Sequence, residues 1–209
     1  MLGPALTTVG PKVPTVIGLD PRRSVADVLW VANTRHGPAG HWFARVTSDE
    51  PDHDHLSGES DAVRYLADHR VTLPSEALTD RQIRALADIR TMVRGLLDPA
   101  SRWTSPVRAI LAHTRFSVDV DGRLAAEGSG WDGFIGDLMI PLIQLVEGRD
   151  HLRACGNPNC RLMFLDLSKN QTRLWCDNAG CGNRDRVRRY RARVKVDPVP
   201  DTARRASDR

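Results

Sequence analysis

Residues 155–181 read CGNPNCRLMFLDLSKNQTRLWCDNAGC and hold all four cysteines of the 209-residue chain. Cys155 and Cys160 form one C-x4-C pair and Cys176 and Cys181 a second, with fifteen residues between the pairs. Cysteines scattered through an apolar core would not fall into two equal pairs inside a 27-residue window. Four thiolates complete a tetrahedral zinc shell. A site with four protein ligands leaves no position for water or substrate, so the expected cofactor is one structural Zn2+ that supplies folding energy. Both loops carry tight-turn residues: Gly156, Asn157, Pro158 and Asn159 in the first, Asp177, Asn178 and Gly180 in the second. The competing explanations are a disulfide pairing, which an oxidising compartment would favour, and unliganded thiols.

Charge is concentrated around this segment. Residues 1–150 hold 16 basic and 20 acidic side chains, and residues 151–209 hold 14 and 6, so the overall net charge of +4 hides a basic C-terminal end. After Cys181 the chain reads GNRDRVRRYRARVKV, with no proline and a helical apolar stripe at Val187, Tyr190 and Val194. Arg184, Arg188 and Arg191 fall on one flank of that helix, and Arg186, Arg189 and Arg193 on the other. The expected helix buries a narrow seam and presents guanidinium groups over most of its surface. Arginine forks suit phosphate, so DNA is the expected partner and RNA the alternative, against a reading as a merely solvated face. Between the cysteine pairs, Ser168, Lys169, Asn170 and Arg173 form a polar group. Asn170 and Asn183 are expected to steady the metal loops, with Ser168, and Lys169, Arg173, Arg184 and Arg188 to face anions. Trp175, beside Cys176, reads as packing for the zinc core.

The segment from Cys155 to Arg193, with LDLSKNQTRLWCDNAGCGNRDRVRRYRAR at its centre, resembles the CGNR zinc finger of bacterial proteins. The match includes Cys181, Gly182, Asn183 and Arg184, with Ser168, Asn170, Arg173 and Trp175 ahead of the third cysteine. The resemblance implies a zinc-binding, DNA-binding module that follows an N-terminal domain of stress-induced transcription regulators. SVADVLWVANT (24–34) is similar to the short helical segment that opens those proteins, departing from it around Trp30 and Val31.

The first 150 residues point to a mainly helical α+β fold with a small hairpin. Ser24 is placed to cap a helix carrying Val25, Val28, Leu29 and Ala32, and residues 36–58 read as a loop. A short helix is expected from Ser60 to about His69. Thr79 and Gln82 make a capping box for a longer amphipathic helix through Ile83, Leu86, Ile89, Val93 and Leu97. Ser105 and Pro106 suit the start of another helix, with Ile110 and Leu111 inside it. Phe116, Val118 and Val120 alternate with polar residues ahead of Asp121-Gly122, the signature of a hairpin with a primed turn. A last helix is expected from Trp131 to Glu147, bent at Pro141 and ended by Gly148. The expected organisation is a regulatory or ligand-sensing domain over 1–150, the zinc finger over 151–196 and a disordered tail over 197–209.

Other features argue less. His53 and His55, with Asp52 and Asp54, read as a solvated acidic loop rather than a second metal site. No phosphate loop or G-x-S-x-G elbow appears, so an enzyme is not expected. Trp30, Trp42 and Trp131 read as core or pocket walls. No apolar run approaches the roughly 20 residues of a membrane span, and the N-terminus lacks a signal-peptide pattern, which together predict a cytoplasmic protein. One finger is small for sequence-specific binding, so a homodimer is expected, with a small-molecule ligand for the N-terminal domain.

Overall fold

The computed structural model describes residues 23–37, 53–98, 111–112 and 114–196. Helix α1 (Val25–Ala32) begins at Ser24, whose hydroxyl accepts from the Asp27 N–H at 3.3 Å while the Asp27 carboxylate accepts from the Ser24 N–H at 2.8 Å. The expected Thr79–Gln82 box likewise opens α3 (Asp80–Gly95). Between them lies α2 (Glu59–Asp68). The buried faces of these helices, with Val28, Leu66, Leu86 and Ile89 fully enclosed, form one core.

The described residues of the segment expected to be a loop over 36–58 form regular structure. β1 (Arg35–His36) pairs antiparallel with β2 (His53–Asp54), and a 3-10 turn, His55–Ser57, leads into α2. Asp54 holds that corner, because its carboxylate receives Arg90 of α3 at 2.6 and 3.3 Å. Residues 38–52, including Trp42, lie outside the described residues. So do the start of the helix expected at Ser105 and the tail beyond Val196, although residues 111 and 112 are helical.

The hairpin forms as β3 (Phe116–Val118) and β4 (Leu124–Ala126), but its turn is wider than the expected two-residue one. Asp119 closes it by accepting from the N–H groups of Asp121 and Arg123 at 3.0 and 2.8 Å, with Gly122 left-handed at φ 76°. Val120 therefore points to solvent instead of continuing the strand. The expected last helix is two: α4 (Gly130–Asp137) and α5 (Met139–Glu147). The break falls near residue 137 because Pro141 has no N–H to offer the carbonyl four residues back, and its ring crowds that carbonyl.

A 3-10 turn, Arg149–His151, then passes the chain to β5 (Leu152–Ala154), which pairs with β6 (Met163–Leu165). Residues 162–165 alternate sides as a strand must. Met163 and Leu165 join the large helical core, while Leu162 and Phe164 pack with the cysteines. Asn33, at the end of α1 and 1% exposed, acts as a third strand for this edge. Its side-chain oxygen accepts from the Met163 N–H at 2.7 Å and its amide donates to the Met163 carbonyl at 3.0 Å.

Replacing Asn33 by Ala leaves both buried Met163 backbone groups without their partners. The expected cost is about 2–4 kcal/mol of stability, measured by denaturant unfolding of the zinc-loaded chain; a change within 0.5 kcal/mol, the ordinary scatter of surface substitutions, would remove Asn33 from this role.

Candidate metal centre and basic helix

Cys155 follows β5 directly and Cys160 precedes β6, so the first pair sits on the turn of a hairpin. That turn is held by the Cys155 N–H donating to Leu162 O at 2.8 Å, the Cys160 N–H to Asn157 O at 2.9 Å and Arg161 in the left-handed region at φ 57°. Cys176 arrives from the loop after β6. Cys181 lies in a single wide turn, Asn178–Gly182, which runs into α6 (Asn183–Val196), and Asp177 caps that turn through the Gly180 N–H.

The four sulfurs all lie within 4.8 Å of one another, and among the described residues they are the one such group of three or more metal-ligating side chains. Cys160 and Cys176 sulfurs are 3.7 Å apart, and Cys176 and Cys181 sulfurs 3.8 Å. A disulfide would need about 2.05 Å. Zinc–sulfur bonds of about 2.3 Å arranged tetrahedrally put the sulfurs about 3.8 Å apart, so the set fits one structural zinc ion. The electrostatics agree. The neighbouring cysteines and burial together push the Cys176 thiol up from its ordinary value, so four thiolates this close need a cation among them to ionise together.

Trp175 packs against this cluster. The indole is flanked by two glycines: a Cβ on Gly156 would stand 3.0 Å from the ring and one on Gly182 would also stand 3.0 Å from it. A side chain at either position would press on the indole that packs against the cysteines.

The polar residues between the cysteine pairs divide differently from their appearance in the sequence. Ser168, Lys169 and Asn170 are exposed. The organising group is Asp166, fully buried, which sequence reasoning missed. Its carboxylate accepts from the Ser168 hydroxyl at 2.6 Å, the Ser168 N–H at 3.0 Å and the Arg173 N–H at 2.7 Å. The Asp-x-Ser spacing was the available signal, since it is that of an Asx turn. Arg173 turns toward the metal loop. Its guanidinium donates to Cys176 O at 2.9 Å and lies 5.2 Å from the centre of the Phe164 ring. Asn183 is exposed at the start of α6, and its backbone N–H closes the wide turn.

On α6, Arg184 is half-buried, and Arg186, Arg188, Arg189, Arg191 and Arg193 are exposed. The buried Asp185 carboxylate binds Arg188 and Arg189 at 2.7 Å each. Arg186, Arg189 and Arg193, with Ala192, line a shallow groove along one flank. The apolar stripe is not the buried seam expected of it: Val187, Tyr190 and Val194 are 40%, 64% and 47% exposed. Among the described residues, neither buried apolar cluster takes in that stripe.

Residues 151–194 match the CGNR zinc finger family. No family matches the N-terminal region, and no curated protein matches the chain. No helix among the described residues is long and apolar enough to cross a membrane.

Two outcomes are expected. Thiol titration of the purified chain releases one zinc from the cysteine set, and Cys176→Ser lowers zinc affinity and disorders the region after β6, seen as lost amide dispersion for residues 155–196; a variant that keeps its zinc and its spectrum would refute the ligand assignment. Burial alone would raise the Asp166 pKa, but the bonds from Ser168 and Arg173 outweigh it and hold the carboxyl below its ordinary value. Its stabilisation is therefore present above the ordinary carboxylate range and is lost as pH falls through the lowered pKa. Asp166→Asn should accordingly melt below wild type at pH 7 and converge with it in acid, and parallel melting curves at all pH values would contradict this.

Proposed function

We propose that the chain is a transcription regulator of the reducing cytoplasm, with no enzymatic activity, that contacts duplex DNA through α6. The supporting observation is mechanical as well as electrostatic. Five exposed arginines ride on a 14-residue helix whose first turn is welded to the zinc ligand Cys181. A helix of that length extends about 21 Å, enough to follow a groove or cross a backbone. Arginines on a rigid support lose less freedom on meeting phosphate than arginines on a mobile tail.

Asp185 sorts them further. It neutralises part of the charge of Arg188 and Arg189 and fixes their direction, leaving Arg186, Arg191 and Arg193 as the stronger phosphate donors. Lys169 is exposed on the loop before Trp175 and adds a further positive charge to the finger. The bacterial stress-response role implied by the CGNR resemblance belongs to this same reading, with the helical region as its sensor.

A second reading is favoured by one observation, the exposed stripe of Val187, Tyr190 and Val194. A helix that carries an uncovered apolar line is suited to pairing with a protein, either a second copy or another partner, and RNA remains the nucleic-acid alternative.

The distinguishing experiment is a salt series with random duplex DNA and single-stranded RNA. Arg186→Glu with Arg193→Glu is expected to weaken duplex binding more than tenfold and to flatten the log K against log salt slope by about 2, while zinc content stays at wild type. Wild-type protein that holds no nucleic acid at moderate salt and sediments as a dimer would establish the second reading instead.

A further inference from the structure

From Arg186 to Val194 every side chain of α6 is exposed, so exposure alone does not say which face of the helix meets a partner. The order of residues around it does. At about 100° per residue, Val187, Tyr190 and Val194 fall within about 60° of one another and run about 10 Å along the axis. Arg184 and Arg191 follow on one side of this stripe and Arg186 and Arg193 on the other, all at about 70–90° from its centre. Arg188 and Arg189 lie further back, where Asp185 binds both at 2.7 Å. Asp185 itself is buried and stands about 170° from the stripe. The face opposite the acid is therefore an apolar line with a basic rail along each side.

Charge decides what such a face can meet. A second copy of the helix would set arginine rails against arginine rails in either direction, and like charges facing across a helix pair are unfavourable. Three apolar side chains over about 10 Å also supply little of the roughly 800 Å2 per partner that a stable interface buries. The major groove of duplex DNA has the matching form. It is about 12 Å wide, admits one helix of about 10–12 Å diameter and carries a row of phosphates along each wall. Its floor holds an apolar partner as well, because each thymine presents its C5 methyl group there. Valine has no donor or acceptor, so it packs on that methyl but cannot replace the water it strips from the edge of a G·C pair.

Resting on the duplex-DNA reading above, we infer that Val187, Tyr190 and Val194 are the base-reading residues of α6. They enter the major groove and pack on thymine methyl groups, while Arg191 on one side and Arg186 and Arg193 on the other bind the two backbones. The arginines fix the position of the helix without reading sequence, and the stripe supplies the reading. Its length matches about three base pairs at about 3.4 Å each, so one finger reads a short thymine-containing step.

The test uses the full, zinc-loaded chain to select sites from a random duplex pool. The selected duplex is then remade with deoxyuridine in place of thymine, a change that removes only the C5 methyl. The selected sites are expected to share thymines within a run of about three base pairs. Each contacted thymine replaced by uracil weakens binding about fourfold, the worth of one buried methyl, and leaves the salt slope as it was. Val187→Ser with Val194→Ser keeps its zinc and binds the thymine and uracil duplexes alike. A pool that returns no base preference, equal wild-type affinity for the two duplexes, or a double variant that still discriminates overturns the inference, while steep salt dependence in the same titrations leaves the DNA reading standing. A chain that holds no duplex at moderate salt overturns both, and sedimentation then reports whether the stripe pairs two copies instead.

Discussion

Tetrahedral zinc–thiolate geometry is the constraint from which the C-terminal third of this chain takes its shape. The cysteine cluster buries only Leu162, Phe164 and three of the cysteines themselves, with Trp175 and Cys176 partly covered. A core that small does not offset the entropy of ordering more than forty residues, so the metal bonds supply what burial does not. They join three pieces, the turn between β5 and β6, the loop ending at Cys176 and the first turn of α6, which otherwise meet through the Gly156 N–H to Leu174 O bond at 2.8 Å and the Trp175 ring between Gly156 and Gly182. Because successive residues of β6 face opposite ways, the ordering does not stop at the finger. Phe164 is held by the zinc cluster, its neighbours Met163 and Leu165 are held by the helices, and Asn33 hydrogen-bonds the strand between them.

The same constraint decides what the arginines are. A run of Arg at residues 184–193 would be a diffuse positive cloud on an unanchored chain, whereas the wide turn at Asn178–Gly182 gives the helix a fixed origin. Asp185, the one acidic residue within α6, is buried and binds two of the arginines. Its carboxylate is held below its ordinary range first by the hydrogen bond from Arg188 and further by the charges of Arg189 and Arg188, so it stays ionised through the neutral range.

What could be read from sequence followed how local the cause was. The zinc ligands, the Ser24 cap, the Thr79–Gln82 capping box, the β3–β4 strands and the bend of the helical stretch at Pro141 each depend on residues within a few positions of one another, so the sequence carries their signals. The turn at Asp119 differs from the two-residue one because Asp121-Gly122 is a strong primed-turn pair in isolation, and a side chain two residues earlier overrides it. Asp166 escapes a reading of the sequence because its three donors are defined only when residues 168 and 173 fold back over it. The apolar stripe on α6 has helical spacing but, among the described residues, lies outside both buried clusters, which periodicity cannot report. Most non-local of all is His36. Nothing between residues 36 and 55 marks the two as partners, and the pairing of Arg35–His36 with His53–Asp54 is what brings them together.

The helical core and the zinc-bearing hairpin are also joined away from β6. Gly37 donates its N–H to the Cys160 carbonyl at 2.9 Å, which ties the end of β1 to the turn that carries the first two cysteines. The Tyr65 hydroxyl donates to Asn33 O at 3.0 Å while its ring stacks on His55, so a tyrosine of α2 holds the residue that hydrogen-bonds β6. Packed, hydrogen-bonded groups thus run from α2 through Asn33 to the zinc-bearing hairpin, the physical requirement for one region to bias the other.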